Sequence, residues 1–216
     1  MPKNGHIAAK KEKTQGLYDR IADVQNLAMK VNGYRASVAK YLRSLKLGIG
    51  PDSLVLDAGS GTGIVTLAFQ DAGYVPRRTI ALDLSFNSLK VSRAEMTKRK
   101  RFATRTDAVQ GNILSLPFRD NTFDLVMMCG VLEYTPLDDG LRETARVLKK
   151  GSTLVLLPVK QSVVGSVLEL LYNFKIHPVE SVRTAAAKYF HIVDKCDFPI
   201  AEPIAWSKTI FLLEKK

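Results

Sequence analysis

Cysteine is scarce here: Cys129 and Cys196 are the only two in 216 residues. Their spacing makes neither a metal knuckle nor a disulfide framework, so a reduced, cytoplasmic setting is the default expectation and no metal site is expected. Long apolar runs are missing too. No stretch approaches the roughly 20 residues of a bilayer span. The N-terminal stretch, with Lys3, Lys10, Lys11 and Lys13 among polar residues, lacks the apolar segment of a signal peptide. Acidic residues are under-represented, 21 Asp and Glu against 32 Lys and Arg, for a formal net charge of +11. Such a bias speaks to partners and solubility rather than to fold: it permits an anionic membrane surface, an RNA or an acidic small molecule. The sharpest basic cluster, Lys98 to Arg101 with Arg105, carries only Phe102 as an aromatic neighbour. A nucleic-acid stacking platform is therefore the less favoured partner, and a solvated helix end complementing the dipole is the plainer reading. The remaining composition is that of one globular domain.

What is present centres on Leu54 to Gly63, LVLDAGSGTG. An apolar run ends in Asp57, Gly59, Gly61 and Gly63 follow at every second position, and Ile64, Leu67 and Ala68 then recur at helical spacing. This predicts strand, tight turn and helix, a geometry in which glycines let the backbone approach a ligand and a helix start offers unpaired N–H groups. A dinucleotide fingerprint would need Gly or Ala at Ile64, and a phosphate-binding Walker loop would need Gly-Lys-Ser/Thr; neither is present.

In chain order, Leu17, Ile21, Val24, Ala28 and Val31 predict a first helix closed by Asn32-Gly33, and Tyr34, Val38, Tyr41, Leu42 and Leu45 a second. Residues 1–50 are thus expected to be a basic tail with two capping helices, and 51–216 the main domain. A second strand should end in Asp83, about twenty positions beyond the glycines, where doubly wound folds bind ribose hydroxyls; Asp83 could alternatively cap the next helix, a role Ser85 also suits. A third strand leads into Gly111-Asn112-Ile113, and Phe123 to Met128 is a buried fourth. A helix from Pro136 is expected to carry Lys149 and Lys150 in its last turn and Gly151 at C′, followed by a strand over Ser152 to Val159. The helix Gln161 to Phe174 is apolar around most of its circumference and must either pack on the sheet, cover an apolar pocket or touch lipid. A helix from His177-Pro178 to Lys188 and strands over Phe190–Asp194 and Ala205–Leu213 close the chain.

The string Asp-x-Gly-x-Gly-x-Gly resembles the first motif of the class I S-adenosylmethionine-dependent methyltransferases, and LPFRDNTFDLVMMCGVLEY, Leu116 to Tyr134, resembles their fourth conserved block. YDRIA, Tyr18 to Ala22, is similar to the entry segment of the ubiquinone and menaquinone C-methyltransferase group, although Val24-Gln25-Asn26 stands where that group usually has a second Tyr-Asp. The resemblance implies an α/β, Rossmann-like, doubly wound seven-stranded sheet, mostly parallel with an antiparallel last strand and helices on both faces. It implies S-adenosylmethionine held by Tyr18, Asp57, Ala58, Gly59, Ser60, Gly61, Gly63, Asp83, Leu84, Asn112, Ile113, Cys129 and Gly130. Asn112 stands where the family commonly has an acid toward adenine; its amide oxygen can accept the same bond, or it is a turn asparagine. Glu133 and Tyr134 would face the acceptor, and with His177 and His191 they are the candidates for moving a proton, each having an ordinary helix-cap or surface alternative. The acceptor implied is small or lipid-like, such as a quinone precursor or phospholipid headgroup, with residues 161–177 as its cover and an anionic membrane as a peripheral contact. RNA methylation and non-catalytic binding are the alternatives, and the oligomeric state is left open.

Overall fold

The structure, a computed structural model, describes residues 33–98 and 105–216. The helix expected over Leu17 to Val31, Tyr18 with it, and the Arg99 to Phe102 part of the basic cluster lie outside the described residues. The described chain runs α1 (Tyr34–Ser44), β1 (Leu54–Ala58), α2 (Ile64–Asp71), β2 (Arg78–Asp83), α3 (Phe86–Thr97), β3 (Thr106–Gln110) and β4 (Phe123–Cys129). It continues through α4 (Leu137–Val147), β5 (Leu148–Leu157), α5 (Val163–Tyr172), α6 (Val179–Ala186), β6 (Phe190–Asp197) and β7 (Thr209–Lys215), with short 3-10 turns at Leu132–Tyr134 and Pro203–Trp206.

The strands form one sheet in the order β3-β2-β1-β4-β5-β7-β6. Strands β1 to β5 pair in parallel, and β7 runs antiparallel to β5 and β6 on either side of it. Successive β4 side chains enter opposite cores. Leu125 and Met127 join Val55 and Phe69 under α1 and α2. Val126 and Met128 join Leu141 and Ala186 of α4 and α6 on the other face. A strand covered on both faces reads as a continuous apolar run, which is why DLVMMC lacks alternation. Helix α1 is built into the same layer, with Val38 and Leu42 fully buried beside α2.

Two boundaries differ most from the sequence expectation. Helix α4 stops at Val147, and Leu148 is already extended and paired with Phe123, so Lys149, Lys150 and Gly151 belong to β5 rather than to the helix end. The Lys149 ammonium is drawn to Asp124 Oδ1 at 2.7 Å. Gly151, with φ of 74°, lies where pairing jumps from Phe123–Leu148 to Leu125–Thr153. The last strand begins at Thr209, because Ala205 and Trp206 are taken into the 3-10 turn.

Strand order reverses between β1 and β4, and the C-terminal ends of these two strands open the crevice in which such sheets bind ligands.

Candidate active site

Three backbone turns converge on that crevice: the glycine loop after β1, the end of β2 at Asp83, and the end of β4 at Cys129 and Gly130. Gly59, with φ of 77°, has no room for a side chain, since a Cβ would sit 2.4 Å from Val131 Cγ2; a Cβ on Gly63 would meet Ser92 Oγ at the same distance. Gly61 is different. Its φ is 52°, yet a Cβ there would meet nothing within 4 Å, so the loop turns this glycine toward open space. The amides expected to be unpaired are largely spent inside the protein. Gly59 and Ser60 N–H both donate to the Leu82 carbonyl, Gly63 N–H to Ser60, and Gly61 N–H to Asp83 Oδ2 at 2.7 Å. The loop therefore serves a ligand chiefly by close backbone approach.

Asp83 accepts from Gly61 N–H and, through Oδ1, from Ser85 N–H at 2.9 Å, while Ser85 Oγ caps α3 by accepting from Ser88 N–H. The cap role thus falls to Ser85. A carboxylate offers about four acceptor positions, so holding the loop and accepting from two vicinal hydroxyls are compatible. Leu84 follows it at the strand end, and its carbonyl accepts from Gln110 Nε2. Asn112 uses Oδ1 to accept from Leu114 N–H at 3.0 Å, a turn geometry, and buried Ile113 packs into the core beside it.

Asp57 is buried below the loop, where Oδ2 accepts the Thr66 hydroxyl at 2.6 Å and Oδ1 has no partner among the described residues. Burial, with the Asp83 charge adding to it, raises its carboxyl to about 7 against the pull of the Thr66 hydrogen bonds. Ser60 Oγ and Glu133 Oε2 are likewise buried without a partner among the described residues. Glu133 is 4% exposed and its Oε1 accepts from Val159 N–H across the crevice. Cys129 Sγ meets Tyr34 Oη of α1 at 3.0 Å; burial pushes both groups up, so neither is poised as a base or nucleophile.

Tyr134 packs edge-on against Phe174, ring centroids 5.3 Å apart. His177 Nε2 lies 3.2 Å from the Leu132 carbonyl, tied to the turn that carries Glu133. His191 is placed elsewhere: it is exposed on edge strand β6 opposite Glu214, which in turn pairs with Thr153 toward the N-terminal half of the sheet. It is not a site residue. The block from Leu116 to Asp124 proves largely structural. Arg146 binds both Glu143 oxygens, the carbonyls of Leu116 and Phe118, and Asp120, while Asp124 Oδ2 accepts from Leu54 N–H to anchor the start of β1.

Sequence reasoning missed Lys208. This residue, 6% exposed, brings its nitrogen to Gly130, where an added Cβ would lie 2.6 Å from Nζ. A lone lysine ahead of a short strand carries no sequence signal of burial.

The carboxylates of Asp57, Asp83 and Glu133 thus gather at one strand edge of a protein whose net charge is +11. A cradle that a Cβ would close, buried acceptors awaiting donors, and local negative charge suit a cationic sulfonium nucleoside with a ribose and an amino group. This fold and site define a class I S-adenosylmethionine-dependent methyltransferase. A family profile described as a methyltransferase domain matches residues 56–156. An uncharacterised protein of Methanocaldococcus jannaschii is 36% identical over 168 residues, 74% of this chain and 67% of the relative. The ubiquinone/menaquinone biosynthesis C-methyltransferase UbiE of Shewanella frigidimarina is 30% identical over 189 residues, 82% of this chain and 74% of the relative. Among solved structures, geranyl diphosphate C-methyltransferase from Streptomyces coelicolor, in complex with S-adenosyl-L-homocysteine, superposes with a TM-score of 0.68 at 17% identity, covering 82% of this chain and 75% of that one. The chain belongs to the class I methyltransferases of the ubiquinone/menaquinone C-methyltransferase type. It spans about two thirds of the length of the first curated relatives it matches, 67%, 62% and 66%.

Proposed function

We propose that the protein transfers a methyl group from S-adenosylmethionine to a small or lipid-like apolar acceptor, such as a quinone precursor or phospholipid headgroup. The cofactor supplies a methyl group that is already electrophilic. The chain's own residues then have to position, shield and balance charge. Asp83 would take the ribose hydroxyls, the Gly59 to Gly63 loop would admit the nucleoside closely, and Asp57 and Glu133 would balance positive charge at the methionine end. Ile113 and Asn112 would border the adenine, and Tyr18 would close over the site.

The observation that carries the acceptor class is α5. Val163 is 85% and Leu170 84% exposed, and Val167 and Leu171 are also exposed, so the helix does not bury its apolar circumference on the sheet. It is nevertheless fastened to the crevice at both ends. Ser162 Oγ donates to the Trp206 carbonyl at one end; at the other, Lys175 N–H donates to the Glu133 carbonyl and Phe174 abuts Tyr134. An apolar cover hinged on the rim suits an apolar acceptor or a lipid surface. The charge of +11 favours an anionic one. Among the described residues no helix is long and apolar enough to cross a membrane.

Calorimetric titration with S-adenosylmethionine and S-adenosylhomocysteine tests the first half. Micromolar binding is expected, and Asp83→Ala should weaken it more than about tenfold, 1.4 kcal/mol. Absence of binding by the intact chain would overturn the reading. Transfer of labelled methyl into an apolar lipid and quinol extract, rather than into RNA, tests the second half.

A further inference from the structure

Lys208 lies where the chain leaves the Pro203–Trp206 turn for β7. Its backbone is held by a bridge to Val159 and by donation of its N–H to the Ile204 carbonyl at 3.0 Å. From the end of β5 the side chain reaches across to the end of β4. There Gly130, φ 64°, leaves the space that the ammonium fills. Burial raises the adjoining Cys129 thiol, the Lys208 charge pulls it down, and Glu133 and Asp57 raise it further, so these charges lie within electrostatic reach of Cys129. Among the described residues no hydrogen bond or ion pair closes on the Lys208 nitrogen.

A lysine only 6% exposed, with no partner for its nitrogen among the described residues, gives up much of its hydration, and chains normally pair such a group or let it reach the surface. A methionine would fill the same space without that cost. The position of Lys208 suggests what offsets it. Asp83 marks the ribose end of the crevice on β2, the glycine loop lies over β1, and the methionine end falls at β1 and β4. Lys208 stands beyond β4, on the β5 and β7 side, just after Trp206, whose carbonyl fastens α5. On the methyltransferase reading, that leaves this side of the crevice for the acceptor.

We propose that Lys208 receives an anionic oxygen of the methyl acceptor, a phenolate, enolate or carboxylate bound beneath α5. This deepens the methyltransferase reading above and rests on it. A fixed ammonium lowers the pKa of an acidic hydroxyl, so the acceptor binds as its anion with the oxygen pinned at Gly130 and its apolar body toward α5.

The probe is 4-nitrophenol, whose anion is coloured, titrated into full-length protein saturated with S-adenosylhomocysteine. The wild type should hold it as the phenolate with an apparent pKa lowered by about one unit or more. Lys208→Met should abolish that lowering and bind the phenolate about tenfold more weakly, while its affinity for S-adenosylhomocysteine changes less than about twofold. Lys208→Gln should behave alike and serves if the methionine variant melts abnormally. A tenfold loss of S-adenosylhomocysteine affinity in the variants would overturn the proposal, because the ammonium would then hold the cofactor's own carboxylate. So would a wild type that fails to bind the phenolate, or equal binding by wild type and variants. Failure of every form to bind S-adenosylhomocysteine would instead overturn the methyltransferase reading.

Discussion

Replacing Asp57 with asparagine should change how stability depends on pH. Asp57 is 1% exposed, and burial raises its carboxyl from 3.8 to about 7. Between those values the native state keeps a proton that the unfolded chain has released, so stability falls as pH rises through that window and levels off above it. Each pH unit within the window corresponds to about 1.4 kcal/mol, and the part of it between about pH 5 and pH 8 accounts for roughly 2–3 kcal/mol. Asparagine keeps an acceptor for the Thr66 hydroxyl and does not titrate. Its amide nitrogen would occupy the position of the unpartnered Oδ1, an offset that is the same at every pH and cancels in the comparison. Urea unfolding of both proteins at about pH 5, 6, 7 and 8 should therefore show the difference moving by roughly 2–3 kcal/mol in favour of Asp57→Asn as pH rises. A difference constant to within about 0.5 kcal/mol would refute the account of Asp57 as a carboxyl strained by burial.

Gly59→Ala should cost about 2–4 kcal/mol in thermal or urea unfolding, because the methyl meets Val131 at 2.4 Å. Gly61→Ala should cost only about 1 kcal/mol for its positive φ, yet weaken S-adenosylhomocysteine more than tenfold by calorimetry, since its methyl enters the open cradle. Arg146→Met leaves Glu143 and the Leu116 and Phe118 carbonyls without their donor. With the side chain 32% exposed, solvent softens the loss to about 2 kcal/mol, read as a lower urea midpoint. Val163→Glu with Leu170→Glu should leave stability within about 0.5 kcal/mol of the wild type but abolish co-sedimentation with anionic vesicles, because both side chains already face solvent.

The parts of the fold that were legible in the sequence are those where a local pattern and the tertiary structure demand the same residues. Asp57 to Gly63 is such a place. The strand must end, the backbone must reverse at positive φ, and the helix must begin within ten residues, so the need for glycine is written locally. Ser85 at the start of α3 and the apolar β4 were legible for the same reason. The failures lie where a distant partner overrides a local signal. Lys149-Lys150-Gly151 has the composition of a helix end, but Asp124 and the β4 edge claim it for a strand. Leu116 to Asp124 likewise gives no local sign of what holds it, since the donor that clamps its carbonyls is Arg146 of α4.

Lys208 is the extreme case. Nothing in Trp-Ser-Lys-Thr distinguishes a buried ammonium from a surface one, because its burial depends on three facts remote in sequence: a glycine at 130, a bridge to Val159, and the antiparallel return of β7 against β5. The last of these brings the start of β7 to the C-terminal edge of the parallel strands, where a parallel β7 would have carried it to the opposite edge. The reversed strand thus makes a chain segment nearly eighty residues after Gly130 available to the crevice. The residues proposed to hold the cofactor, from Asp57 to Gly130, sit at consecutive strand ends and are therefore legible in the sequence. The residues proposed for the acceptor are not, because they lie on α5 and the β6–β7 connection, whose positions are set by the topology of the sheet.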